Sequence, residues 1–363
     1  MPARIMNRLY VQQIDRRSAP NAGKRLPMLS EIDLQLLDAL QVNPRASWTL
    51  IGRVLEIDPV TAARRWARLR ENGLAWVSVA FGPHEAGQLC VVVVEVECER
   101  GASAAVAAAM ARWNSALTVQ YTAGRQDLWA LLVTADFPTM SQLLLVGLPE
   151  LEGVARSRSY FVTRLFEATG RWRLHVLGPG QVRRLREAYP ERSSEGARPF
   201  GATDRAMFRE LSTDGRRTHA EVGETLGVSA RTVQRRLNAL MSRREVAFRC
   251  DVARGLVGWP SSAVIWLNVP EDRLDEAGRV LGRRSEVRTC LAIADERNLM
   301  LSIGLRQISD LHGHIVQILH DVPYARILDR NIVLRQEKLY GRILDATGRA
   351  VEAVPIDPWA DQV

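Results

Sequence analysis

The sequence predicts an α+β protein built from two tandem copies of one unit, each a winged helix-turn-helix followed by a βαββαβ, ferredoxin-like sandwich. Three observations predict it: an internal repeat at one offset, a helix-turn-helix pattern opening each copy, and the same order of strands and helices after it. Segment 30–73 aligns with 201–244 at an offset of 171 residues, pairing Asp33 with Asp204, Arg45 with Arg216, Thr61 with Thr232, Arg64 with Arg235 and Arg65 with Arg236. The same offset, without gaps, pairs Leu128 with Leu299, Val162 with Val333 and Arg164 with Arg335 far downstream.

Each copy opens with three short helices. Leu34, Leu37 and Leu40 recur at helical spacing in the first, followed by a turn and a second helix over 47–55, matched by 218–226. The third helix starts after Asp58 or Ser229, whose side-chain oxygens suit an N-cap, and Pro59 suits the first helical position. Ala62, Trp66 and Leu69 form its inward stripe, repeated by Val233, Leu237 and Leu240. Opposite lie Val60, Arg64 and Arg68, matched by Arg231, Arg235 and Asn238. A helix of this size enters a major groove, and guanidinium forks match guanine edges and phosphates. One basic helix is commonly a solvated face; two at the same place in a repeated helix-turn-helix point to double-stranded DNA. The expected DNA-facing set is Thr61, Arg64, Arg65 and Arg68 with Ser229, Arg231, Thr232, Gln234, Arg235 and Arg236. VSVAFG (77–82) and VAFRCD (246–251) read as short strands, each a possible wing.

The remainder of each copy alternates strands and helices. In the first copy, strands over 88–98, 116–123, 128–135 and 154–166 enclose helices over 103–113 and 140–148, and the second copy repeats the βαββαβ order. Two helices cover one face of such a sheet; the other face needs a partner, which the other copy can supply. The expected division is a basic arm over 1–28, helix-turn-helix domains over 29–82 and 201–252, α/β domains over 83–177 and 253–348, a linker over 178–200 with a short helix, and a tail over 349–363.

Composition sets the bounds. A net charge of +8 permits nucleic acid or anionic lipid as partner, and 25% charged with 47% hydrophobic residues argues against wholesale disorder. Cys90, Cys98, Cys250 and Cys290 form no C-x-x-C pair, so neither a zinc ribbon nor a thioredoxin-type site is expected. The first residues lack the apolar core of a signal peptide, and the longest apolar runs are too short to cross a bilayer, so a cytoplasmic protein without a membrane partner is expected. There is no Walker loop and no G-x-G-x-x-G. His312, His314 and His320 lie on one predicted helix but do not converge as metal ligands, and Glu95, Glu97 and Glu99 read as a solvated strand edge. No catalytic residues, metal or cofactor are expected.

Taken together, SEIDLQLLDALQVNPRAS, ARRWARLRENGL, GRQDLWALL, LPELEGVARSRSYFVTRL and TDRAMFRELSTDGRRTHAEVGETLGVSARTVQRRLNAL resemble the Lrp/AsnC (feast/famine) regulators, over nearly the whole chain, twice. The resemblance implies a sequence-specific transcription regulator with RAM-type sensing domains, a small effector such as an amino acid, sheet-to-sheet pairing of the two halves into a pseudo-dimer, and homo-oligomers of whole chains. It also implies that the loop Gly124, Arg125, Gln126 and Asp127 borders the effector pocket. The second copy has Asp295, Glu296, Arg297 and Asn298 there, and Glu56 stands where Gly227 keeps the family's turn glycine. These departures imply a division of labour, with sensing in the first copy and base reading in the second. Two rivals remain: an enzyme resembling the sirohaem decarboxylases, which share the family fold, and a sensor or oligomer partner that binds no DNA.

Overall fold

The computed structural model describes residues 29–168, 172–189 and 198–360; the basic arm and part of the linker lie outside them. The first helix-turn-helix is α1 (Glu31–Val42), α2 (Trp48–Leu55) and α3 (Pro59–Glu71), followed by β1 (Ala75–Phe81) and the short α4 (Pro83–Ala86). The first α/β unit is β2 (Cys90–Cys98), α5 (Ser103–Arg112), β3 (Ala116–Ala123), β4 (Leu128–Thr134), α6 (Phe137–Gln142) and β5 (Val154–Ala168). After α7 (Pro179–Glu187) the order recurs: α8 (Ala202–Thr213), α9 (His219–Leu226), α10 (Ala230–Ser242) and β6 (Val246–Val252), then β7 (Ser261–Asn268), α11 (Leu274–Leu281), β8 (Val287–Ile293), β9 (Leu299–Leu305), α12 (Asp310–Asp321) and β10 (Arg326–Leu339), with β11 (Arg342–Leu344) and β12 (Ala350–Ala353) at the end. No helix among the described residues is long and apolar enough to cross a membrane.

The N-caps are those expected from sequence. Asp58 Oδ1 accepts from the amides of Val60 and Thr61, and Ser229 Oγ from that of Thr232. Both second helices end on a left-handed residue, Gly227 at φ 66° and Glu56 at φ 58°.

The two four-stranded sheets close into one ring. β5 pairs with β2 over its first half and with β8 over its second, while β10 pairs with β7 and then with β3. The eight strands run β10-β3-β4-β2-β5-β8-β9-β7 and back to β10. Alternation sorts the side chains. Val92, Val94 and Leu132 face α5 and α6, and Ile265, Leu301 and Ile303 face α11 and α12. Val93, Trp129, Leu131, Trp266, Leu291 and Met300 fill the interior, as an eight-stranded barrel requires.

The possible wings are not wings. β1 and β6 pair with each other, antiparallel, from Ala75 opposite Val252 to Phe81 opposite Val246. Nearly every residue of both is buried, so their apolar residues serve the junction between the two helix-turn-helix units rather than a groove contact. Two arginines complete the junction reciprocally. Arg45 donates to the carbonyls of Gly215 and Arg217, and Arg216, its mate at the repeat offset, donates to those of Pro44 and Ala46. Burial pulls the Arg216 guanidinium down to about 10.

Residues 349–360 of the expected tail are also folded. β12 follows β11 in the sheet, Ile356 is fully buried with its amide donating to Ser212 Oγ, and the Trp359 ring lies 5.9 Å from those of Phe81 and Phe208. Pro355 and Pro358 suggested a loose end, but the apolar residues between and after them find a surface on α8. The linker helix α7 docks too: Leu185 is buried, and Gln181 Nε2 donates to the carbonyl of Val54 on α2.

Left-handed backbone costs a side-chain-bearing residue about 1 kcal/mol. Glu56→Gly is therefore expected to raise stability by roughly that amount, read as a higher midpoint in thermal or urea unfolding. A variant no more stable than the parent would show that the turn at Glu56 is not strained.

Candidate functional site

The outward faces of α3 and α10 carry the candidate DNA contacts, and the structure sorts them into two kinds. Arg64, Arg231, Gln234 and Arg235 are exposed and have no ion pair or side-chain hydrogen bond among the described residues. Arg65 and Arg68, by contrast, are tied to α1: Arg65 Nη1 lies 3.0 Å from Asp33 Oδ1 and Arg68 Nη2 2.9 Å from Asp33 Oδ2. Burial works to raise the Asp33 carboxyl, but hydrogen bonds from Ser30 and the two guanidinium groups outweigh it and hold the group low. The second copy repeats one of these pairs, Arg236 with Asp204 at 2.9 Å. Arg65, Arg68 and Arg236, expected to face DNA, thus fix the third helix against the first. Thr61 and Thr232 are half-buried in the first turns, and Ser229 Oγ and Thr232 Oγ1 engage each other at 2.9 Å. At the start of the third helix the second copy offers Arg231 and Gln234, where the first has Val60, 74% exposed, and Ala63.

The loop at Gly124 to Asp127 is largely committed to its own frame. Asp127 Oδ2 accepts from the Cys98 amide at 2.7 Å, and Asn298, at the same place in the second copy, accepts from the Val269 amide at 2.9 Å. These side chains staple equivalent turns. Gly124, at φ 145°, lies so close to Asn331 that a Cβ would stand 2.3 Å from its Oδ1. Arg125 alone of the four has an exposed side chain with no partner among the described residues.

Gln126 and its counterpart Arg297 turn into the barrel. Gln126 Nε2 donates to Glu95 Oε1 at 3.2 Å, Tyr160 OH to Glu95 Oε2 at 3.0 Å, and Arg297 Nη2 to the same oxygen at 3.2 Å. The Arg297 guanidinium also lies 4.3 Å from the Trp266 ring and 4.6 Å from that of Tyr160. Glu95 is 3% exposed, so it is an interior anion and not part of a solvated edge; burial and this carboxylate push the Tyr160 hydroxyl up to about 12. Sequence reasoning missed this network. Its one signal was Glu95 at an inward position of a β-branched strand.

Past this network the interior opens into a cavity of about 450 Å³ below β1. No histidine lines it, and among the described residues no cluster of three or more His, Cys, Asp or Glu could hold a metal. His314 lies 3.5 Å from Glu286, and His320 is exposed beside Asp321.

Two helix-turn-helix units joined back to back above a strand-closed α/β barrel define a helix-turn-helix regulator. Residues 29–70 and 202–241 match the AsnC-type helix-turn-helix domain, and residues 91–172 match the Lrp/AsnC ligand binding domain. The HTH-type transcriptional regulator LrpA of Mycobacterium tuberculosis is 31% identical over 113 residues, 30% of this chain and 75% of that protein. An uncharacterized HTH-type transcriptional regulator of Pyrococcus furiosus is 26% identical over 38% of this chain and 93% of its own length. The chain belongs to the Lrp/AsnC family of transcription regulators. Among solved structures, the siroheme decarboxylase NirDL overlays with a TM-score of 0.54, covering 85% of this chain and 93% of that one; at 14% identity the likeness is one of fold.

Removing one partner of a buried ion pair leaves an uncompensated charge. Arg297→Met is therefore expected to destabilise the chain by about 3 kcal/mol, and the Glu95→Gln, Arg297→Met double variant to recover most of that, measured by chemical denaturation. A single variant as stable as the parent would show that the pair does not hold the barrel centre.

Proposed function

We propose that the chain is a sequence-specific DNA-binding transcription regulator that works in the cytoplasm as a covalent pseudo-dimer, the product of a tandem duplication. The observation that carries this reading is the contrast on α10: Arg231, Gln234 and Arg235 stand free at the exposed start of the helix, while Arg236 is held back by Asp204. An arginine with no internal partner loses nothing inside the protein when it pairs with a base edge or phosphate. On this reading α10 is the base reader. α3, with Val60 and Ala63 in the corresponding places and Arg64 free, contributes mainly phosphate contact, so the operator is not a palindrome. The α/β barrel is the sensing part, responsive to a small effector, and whole chains assemble into higher oligomers.

The decarboxylase reading gains nothing from the lining of this cavity, which holds no histidine and whose one cation, Arg164, is paired with Asp275.

The test is binding to duplexes selected by the protein from a random pool, read by fluorescence anisotropy at several salt concentrations. Each guanine-reading arginine is worth about 1–3 kcal/mol, so Arg231→Ala with Arg235→Ala should weaken binding by at least about tenfold and relax the selected sequence. Arg64→Ala should weaken binding evenly across sequences and flatten the salt dependence. Full affinity and unchanged preference in the double variant would overturn the assignment of α10.

A further inference from the structure

The cavity inside the barrel differs in kind from the loop that the family resemblance marks. On β2 the Glu95 network sits at inward position 95, opposite Trp129 on β4, and the cavity begins farther along, at Leu131 and Val133 on one strand and Val91 on the other. The loop at Gly124 to Asp127 is at the opposite end of β3 and β4 and contributes nothing to the lining. Ala80 and Phe81 of β1 and Ala86 of α4 line the cavity from the reader side.

Its polar groups are few: Thr163, Thr289, Tyr340 and Arg164. The Arg164 guanidinium is neutralised by an ion pair with Asp275 and lies over the Phe166 ring. No carboxylate lines the cavity, and its one cation, Arg164, already has a partner in Asp275, so the wall is mainly apolar and offers nothing to an ammonium.

The equivalent place in the second half is filled. At the repeat offset Leu117 becomes Arg288 and Val133 becomes Gly304. Arg288 is 2% exposed, with its guanidinium 4.1 Å from the Trp172 ring and 5.9 Å from that of Trp259. A Cβ on residue 304 would stand 2.6 Å from Arg288 Nη2, so only glycine there lets the arginine lie where it does. One end of the barrel is plugged by its own side chains and the other is open.

We propose that the open cavity is the chain's single small-molecule site and that it takes a neutral, largely apolar ligand, not a free amino acid. A volume of this order with apolar walls and a few hydroxyls is that of a small-molecule pocket. A free amino acid would bury an ammonium with no carboxylate in the wall to meet it, at a cost of several kcal/mol. A neutral ligand buries apolar surface and satisfies one polar group on Thr163, Thr289 or Tyr340. Phe81 borders the ligand and stacks on Phe208 of α8 at 4.2 Å between centroids, which gives occupancy a direct mechanical path to the second reader unit. That last consequence rests on the regulator reading; the binding does not.

The experiment titrates the full chain, without DNA, with the neutral fluorophore N-phenyl-1-naphthylamine, with stoichiometry from equilibrium dialysis. One saturable site per chain is expected, displaced by 1-decanol and untouched by millimolar L-leucine or L-methionine. Ala86→Trp, which fills the cavity from its half-buried edge, should weaken probe binding by at least about tenfold; if circular dichroism shows that variant unfolded, Ala86→Leu replaces it, with a smaller loss expected. Absence of saturable binding, two sites per chain, displacement by either amino acid, or unchanged binding in a folded filled variant would each overturn the proposal. Because no DNA is present, none of these outcomes depends on whether the readers bind it.

Discussion

Everything in the architecture follows from two overlong strands. β5 and β10 each run past the edge of their own sheet and hydrogen-bond to the sheet of the other half. Four strands with helices on one face would leave the other face wet and both edges open to pairing with any passing chain. The exchange removes both problems in one step. It leaves the ring without a free edge, and it turns the two unpartnered faces into a shared interior. Once the barrel is closed, the chain entering and leaving each half is fixed in position, so β1 and β6 meet above it and the two reader units are set back to back.

Two like halves in one chain permit what a symmetric pair of chains cannot. In a twofold interface every residue faces the same set of neighbours twice. A Glu at position 95 would then appear on both sides of the axis, each needing its own cation. Here the twofold mates differ: Trp266 stands for Glu95, Arg297 for Gln126 and Asn331 for Tyr160. One carboxylate meets one guanidinium, and an indole ring occupies the place where a second anion would have been. The same freedom lets Arg288 and Gly304 fill one end of the interior while Leu117 and Val133 leave the other open. The junction between the readers shows the opposite choice, since Arg45 and Arg216 keep identical roles and make mirrored contacts.

The elements were largely legible in the sequence, because periodicity and capping are local. Helix starts at Asp58 and Ser229, the β-branched run of β2 and the repeated βαββαβ order all rest on residues within a few positions of one another. What was not legible depends on partners distant in sequence. Nothing near Arg65 or Arg68 announces that Asp33 will lie beneath them; on α3 alone they are simply outward. Arg297 belongs to a polar turn, yet the pleat of β9 and the aromatic faces of Trp266 and Tyr160 draw it inward. The strands β1 and β6 were recognised as strands, but strand character does not name a partner. The end of the chain reads as a loose tail for a related reason: prolines signal the interruption of regular structure, not the absence of packing, and Ile356 and Trp359 pack well without it.

The covalent tie between the two reader units also changes how the protein answers to its own abundance. A pair of separate chains must find each other, so the fraction able to span two half-sites falls as expression falls, and related subunits can exchange into mixed pairs. With β1 hydrogen-bonded to β6 inside one polypeptide, the spacing and orientation of the readers are set at synthesis and survive any dilution. Whatever larger assemblies whole chains form, this pair cannot be lost by dissociation, and no paralogue can enter it.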